Sequence, residues 1–268
     1  MEFTLVLILM LLGVGLLAGF VAGFVGIGGG AVMVPVLLAL FRHWGLPASG
    51  VVQAAMATSL VVAVGNVGSS IVRQAKQRRI LWRLVPYLVP GSLGGGWLAA
   101  RLATSLPGRL LEHTLAAVLL VVAVRMLTDF RHHDRDTHSI RWWQGLLVGI
   151  LVGAVAGLSG LAGGVVMVPA LAMILGLRAE WLAGTSSAVI LWSALAAALG
   201  YLTATPPEAL GPGFVGYAGL PIAGLLAVTA IPGAQLGAYV NRHANSRLFE
   251  RTFALFLILV VVKLVAGS

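Results

Sequence analysis

The sequence predicts an all-α integral membrane protein made of two inverted repeats. Each repeat has about five helical segments and opens with a helix hairpin broken by glycines. Three observations predict this. Of 268 residues, 59% are hydrophobic and 9% charged, with mean hydropathy +1.01; a soluble domain carries about 25% charged residues. The stretch 19–35, GFVAGFVGIGGGAVMVP, returns as 153–169, GAVAGLSGLAGGVVMVP. With Pro35 over Pro169, Gly19, Gly23, Gly26, Gly29 and Gly30 fall on Gly153, Gly157, Gly160, Gly163 and Gly164. Finally, Lys and Arg distribute as an odd number of segments per half requires, as counted below.

In chain order, residues 3–26 form the first apolar run, 24 residues that reach about 36 Å and cross a bilayer core. The run lacks a basic leader and a cleavage site, so it is expected to be retained. After Gly28-Gly29-Gly30, residues 31–41 give a short helix ended by Arg42-His43-Trp44. Residues 48–72 follow, carrying Gln53, Thr58, Ser59 and Asn66, and then a basic loop, 73–83. Segments 84–104 and 110–128 close the first half. The polar stretch 129–143, DFRHHDRDTHSIRWW, joins it to the second. There the order repeats as 144–160, 165–177, 181–203 with Thr185, Ser186 and Ser193, a loop at 204–214, then 215–240 and 247–267. Arg109-Leu-Leu-Glu-His-Thr-Leu-Ala matches Arg247-Leu-Phe-Glu-Arg-Thr-Phe-Ala, so the repeats are 1–128 and 144–268.

Topology follows from charge. If each glycine break lies within one helix, alternate loops share the 17 Lys and Arg as 10 and 7. If each break is a turn, one side collects 13, and the other keeps Arg42, Arg101, Arg109 and Lys263. The second count obeys the positive-inside rule. It makes five segments per half, inverted repeats and both termini outside, with loops 73–83 and 129–143 cytoplasmic.

The glycine breaks are the first candidate site. Backbone freed within a membrane is tolerated where it is buried in protein or lines a cavity. Helix N-termini after such breaks attract anions. Gly28, Gly29, Gly30, Gly163 and Gly164 are therefore candidate anion cradles. Gly19, Gly23, Gly153 and Gly157, spaced as G-x-x-x-G, are expected to be packing glycines. Thr58-Ser59 and Thr185-Ser186 recur at matching places. Their hydroxyls suit an oxyanion, or bond helix to helix or back to the i−4 carbonyl. Gln53, Asn66 and Gln235 are uncharged amides that meet substrate or bridge helices.

Other classes are weighed against the same residues. The formal charge of +9 sits in short loops, where membrane topology explains it, so nucleic acid is not an expected partner. No cysteine is present, which removes thiol chemistry and Cys–metal sites. His132, His133, Asp134, Asp136 and His138 read as a solvated linker, and neither metal nor cofactor is expected. Gly157-Leu158-Ser159-Gly160 resembles the G-x-S-G nucleophile motif of intramembrane serine proteases. All six histidines lie in loops or at helix ends, and the repeat accounts for the glycines, so no enzyme is expected. No Asp or Glu lies mid-span, and helix dipoles explain Glu112 and Glu250. Arg101 and Arg242 are read as snorkelling from helix ends.

These motifs together resemble the sulfite exporter TauE/SafE family of membrane permeases. The resemblance rests on the duplicated glycine motif ending in V-P, the following Thr-Ser, and Gly233-Ala234-Gln235-Leu236-Gly237. It spans nearly the whole chain. Ala57 stands where the family pattern has glycine before Thr-Ser, and Ala162 replaces the first glycine of the triplet. The resemblance implies transport of a small anion, such as sulfite, a sulfonate or another organosulfur oxyanion, across a bacterial inner membrane. The expected mechanism is alternating access. An anion channel is the alternative, and a non-transporting assembly factor a more distant one. The lipid bilayer is the expected surrounding, and a homodimer is one oligomeric state open to it.

Overall fold

The structure is a computed structural model that describes residues 5–25, 30–127, 141–241 and 246–266. Among these residues the first half contains α1 (Leu5–Val25), α2 (Gly30–His43), α3 (Val51–Lys76), α4 (Val85–Ser105) and α5 (Gly108–Leu127). The second contains α6 (Trp142–Ser159), α7 (Gly164–Pro169), α8 (Ala179–Leu202), α9 (Leu220–Asn241) and α10 (Ser246–Ala266). Five of them, α1, α3, α6, α8 and α9, are long and apolar enough to cross a membrane. The segment 31–41 extends to 14 residues in α2, about 21 Å, still short of a core about 30 Å thick.

Two expected boundaries move. The helix placed at 215–240 begins at Leu220, because Phe214–Val215 (β1) and Ala218–Gly219 (β2) first form a tight antiparallel hairpin. Gly216 at its tip has φ +54° and fits against the Tyr201 and Leu202 carbonyls, which leaves no room for a Cβ. The other change follows Pro169. Residues Ala170–Ile174 form a π-turn, with Leu175 N bonded to Ala170 O at 3.3 Å. Its counterpart α2 stays α-helical through Pro35.

The glycine spacing decides how helices pair. Gly15, Gly19 and Gly23 on α1 face the backbone of Leu226, Ala230 and Ala234 on α9. The equivalent glycines of α6, Gly149, Gly153 and Gly157, face Leu88, Ser92 and Gly96 on α4. The contacts also run the other way, with Gly95 against Ile150 and Gly233 against Leu16. Removing Cβ lets helix backbones touch, the usual way small residues drive association in lipid. The G-x-x-x-G glycines are thus packing glycines, as expected. One position differs: Thr229 replaces the glycine found at Gly91, and its hydroxyl donates to Leu12 O at 2.7 Å.

Helix directions follow from the same contacts. α1 runs parallel to α9, away from the β-hairpin. α2 runs back towards it and ends with Phe41 edge-on to Phe214, 5.7 Å between centroids. The first break therefore separates helices of opposite direction. At the centre, α3 and α8 lie antiparallel. Met56 meets Tyr201 near one end, and Ser70 meets Ser187 at 3.4 Å near the other.

Candidate substrate site

The two breaks come together in the interior. Gly30, the first residue of α2, is buried, and a Cβ there would stand 2.7 Å from Leu161 Cα and 3.0 Å from Gly160 O. At the second break, three of four consecutive residues are left-handed: Gly160 (φ +70°), Ala162 (+57°) and Gly163 (+78°). Ala162 holds this conformation with a Cβ and no solvent exposure. Such a residue costs about 1 kcal/mol or more and persists because its surroundings fix it. Gly28 and Gly29 lie outside the described residues.

Hydroxyls from the two central helices hold the second break by its carbonyls. Ser59 on α3 donates to Gly160 O at 3.2 Å, and Tyr201 on α8 to Gly157 O at 2.7 Å. Ser193 on α8 donates to Ala162 O at 3.0 Å. A carbonyl left unpaired in a dry interior costs several kcal/mol, so these three bonds permit the loop. The N–H side differs. Gly163 caps α7 without a side-chain bond, and the first N–H groups of any helix lack an intrahelical acceptor. The buried peptide surface at Gly163 and Gly164 is therefore donor-rich.

The remaining predicted residues divide. Asn66, in the α3 position that corresponds to Ser193, is 6% exposed, and its Oδ1 has no partner among the described residues. Its amide can present oxygen or NH2 by rotation. Thr58 donates back to Ala54 O at 2.7 Å and accepts from Gly219 N at 3.1 Å. Thr185 accepts from Leu81 N at 3.1 Å. Ser186 donates to Ala183 O at 3.2 Å. Gln53 bridges to the end of α4, donating to Leu106 O at 3.1 Å. Gln235 is exposed on α9 and does not join the cluster.

Sequence reasoning missed two features. Tyr201 gave no signal, since it has no matching phenol in the other half. Arg42 and Glu112 form an ion pair of 2.6 Å, with Glu112 buried. Their residues were legible but their contact, across α2 and α5, was not. Ser159, the G-x-S-G serine, bonds only backbone among the described residues: it donates to Val155 O at 2.6 Å and accepts from Leu161 N. No cluster of three metal-ligating residues occurs among the described residues; the linker histidines lie outside them. Arg101 reaches Thr203 O at 3.2 Å over the face of Trp97. Arg242 lies outside the described residues. Near the hairpin, burial pushes the Tyr217 phenol above its usual range.

A family model for sulfite exporter TauE/SafE matches residues 11–264. The chain belongs to the sulfite exporter TauE/SafE family. Several curated relatives match over nine-tenths or more of their length. A "Probable membrane transporter protein" of Haemophilus influenzae is 27% identical over 263 residues, 98% of both chains. One from Methanocaldococcus jannaschii is 28% identical over 247 residues, covering 92% of this chain and 90% of the relative. YjnA of Bacillus subtilis, with the same description, is 25% identical over 94% of this chain and 97% of its own. No solved structure matches. Family membership, the relatives and the apolar helices make the chain a multi-pass membrane permease of the TauE/SafE family.

Proposed function

We propose that the protein carries a small anion across a bacterial inner membrane by alternating access, and that the anion is sulfite, a sulfonate or another organosulfur oxyanion. The observation that carries this reading is the meeting of the two breaks: Gly30 against Gly160 and Leu161, with the carbonyls of Gly157, Gly160 and Ala162 already occupied by hydroxyls. Carbonyls are what a cation would need. Their occupation leaves N–H groups, which favour negative charge. The proposed site comprises Gly28, Gly29, Gly30, Gly163 and Gly164, with Ser59 and Asn66 beside them. Arg125 of α5 donates to the Val165 carbonyl at 3.4 Å, one residue beyond Gly164, so a cationic group stands next to the neutral donors of the proposed cradle.

The architecture we infer is two inverted repeats, 1–128 and 144–268, joined by the linker 129–143. The antiparallel course of α3 and α8 supports inversion. So does the matching of α1–α9 packing with α6–α4 packing. Loops 73–83 and 129–143 would then be cytoplasmic by charge.

The test is thermal-shift titration of the purified protein with sulfite, sulfate, thiosulfate, taurine and sulfoacetate. A ligand of the folded state raises its melting temperature in proportion to the logarithm of its concentration. At least one should do so saturably in the wild type and fail with Gly29→Leu and Gly163→Leu. No shift with any anion, in protein that is folded, would defeat the proposal. Flux without saturation in liposomes would move the reading to a channel.

A further inference from the structure

Thr58 and Thr185 hold equivalent places in the two halves, and their hydroxyls do the same work in opposite directions. Thr58 on α3 accepts from the amide of Gly219, the residue before α9 of the other half. Thr185 on α8 accepts from the amide of Leu81, in the loop leading into α4 of the other half. Both threonines are fully buried, and both bonds measure 3.1 Å. We propose that these hydroxyls are the latches of two gates, one at each end of the molecule, which release one at a time as the protein cycles. The role in transport rests on the function proposed above; the latches themselves can be tested without any cargo.

Position is the first argument. Because α3 and α8 are antiparallel, with Met56 at Tyr201 and Ser70 at Ser187, the two threonines sit towards opposite ends of the pair, roughly 20 Å apart along the axis. Each pins a different lid. The Thr58 bond secures residues 203–219, which also rest on this face through Tyr217 against Tyr201, Phe214 against Phe41, and Ser49 donating to Glu208 at 3.0 Å. The Thr185 bond secures 77–84, where Ile80 packs with Val85 and Ala188.

Chemistry is the second. A neutral amide-to-hydroxyl bond is strong enough to bias a closed state and weak enough to break in every cycle. Its loss shifts a two-state equilibrium roughly threefold to tenfold. Both bonds are made in this structure, so it represents a conformation closed at both ends. The two lids are not equal. Gly184, beside Thr185, lets the Arg79 carbonyl lie where a Cβ would be. Its counterpart Ala57 carries that Cβ. The sequence thus seats the 77–84 lid more closely than the 203–219 lid.

The absence of cysteine makes the test direct. Single reporters Leu210→Cys and Ile80→Cys replace buried residues, 7% and 6% exposed, one on each lid. Maleimide labelling rates are measured in the purified full-length protein without ligand. Thr58→Val should speed labelling of Leu210→Cys threefold to tenfold and leave Ile80→Cys unchanged. Thr185→Val should do the reverse. Thr→Ser at either place keeps the hydroxyl and should keep labelling slow. Equal acceleration at both reporters, which a merely loosened protein would give, overturns the proposal. So does no acceleration at the reporter of the severed latch. Because no anion is present, failure here leaves the substrate reading standing, and failure of the anion titration leaves the latches standing.

Discussion

Two adjacent glycines in α4 should respond to the same substitution with opposite signs. Gly95 faces α6: a Cβ there would lie 2.5 Å from Ile150 O and 3.0 Å from Ile150 Cα. Ordinary contact begins near 3.4 Å, so α4 and α6 must part by most of an ångström. Both collision partners are backbone, which cannot rotate away. Overpacking of this kind costs about 1–3 kcal/mol. The upper part of that range applies, because parting the helices also loosens Gly91 on Leu146 and Gly149 on Leu88. Gly94 is exposed, with nothing within 4 Å of its would-be Cβ. Alanine there removes the helix penalty of glycine, a gain of about 1 kcal/mol. The two variants should therefore lie on opposite sides of wild type and differ from each other by about 3–4 kcal/mol. Equilibrium unfolding in mild detergent, followed by tryptophan fluorescence, reads both. If Gly94→Ala loses as much stability as Gly95→Ala, the account of the glycine stripe is wrong.

Four further outcomes are expected. Arg42→Ala should destabilise more than Glu112→Gln, because the first strands a buried carboxylate and the second frees a half-exposed guanidinium; a double-mutant cycle in the same unfolding assay checks the order. Tyr201→Phe should cost about 1–3 kcal/mol by leaving the buried Gly157 carbonyl unpaired, again read by unfolding. Asn66→Asp should abolish the anion-dependent melting shift by placing negative charge beside the proposed cradle, whereas Asn66→Ser, the residue of the other half, should retain it. Ser159→Ala should leave any transport intact, measured as sulfite flux into liposomes, since its hydroxyl serves only neighbouring backbone.

Much of the fold was legible because lipid simplifies the code. An apolar run must be a helix, since its peptide groups have no water to bond. The ten segments were found within a few residues of their ends, apart from the end of α7, where the π-turn takes over at Ala170, and the start of α9. The exception at α9 has a local cause: Val215 and Ala218 are as apolar as the helix that follows, so composition could not separate a hairpin strand from a helix turn. The π-turn after Pro169 was equally invisible, because Pro35 in the same register leaves α2 regular. At the site, the glycines and hydroxyls stood out by duplication. Which atoms they meet did not, because a hydroxyl bonded to i−4, to another helix or to a ligand looks identical in one dimension.

By itself, the sequence determined that this chain is a bundle of membrane helices in two matched halves, where the halves are interrupted, and which glycines pack. Those properties depend on hydrophobicity and on spacing along one chain, and both are written in residue order. Only the tertiary structure decided that Gly30 lies against Gly160, that Ser59, Ser193 and Tyr201 hold the second break, that Arg42 finds Glu112, and that each of the two register-matched threonines reaches across to the opposite half. The reason is distance along the chain. Each of these contacts joins residues brought together by helix packing, and that packing is set by the fit of whole helix faces rather than by any local preference.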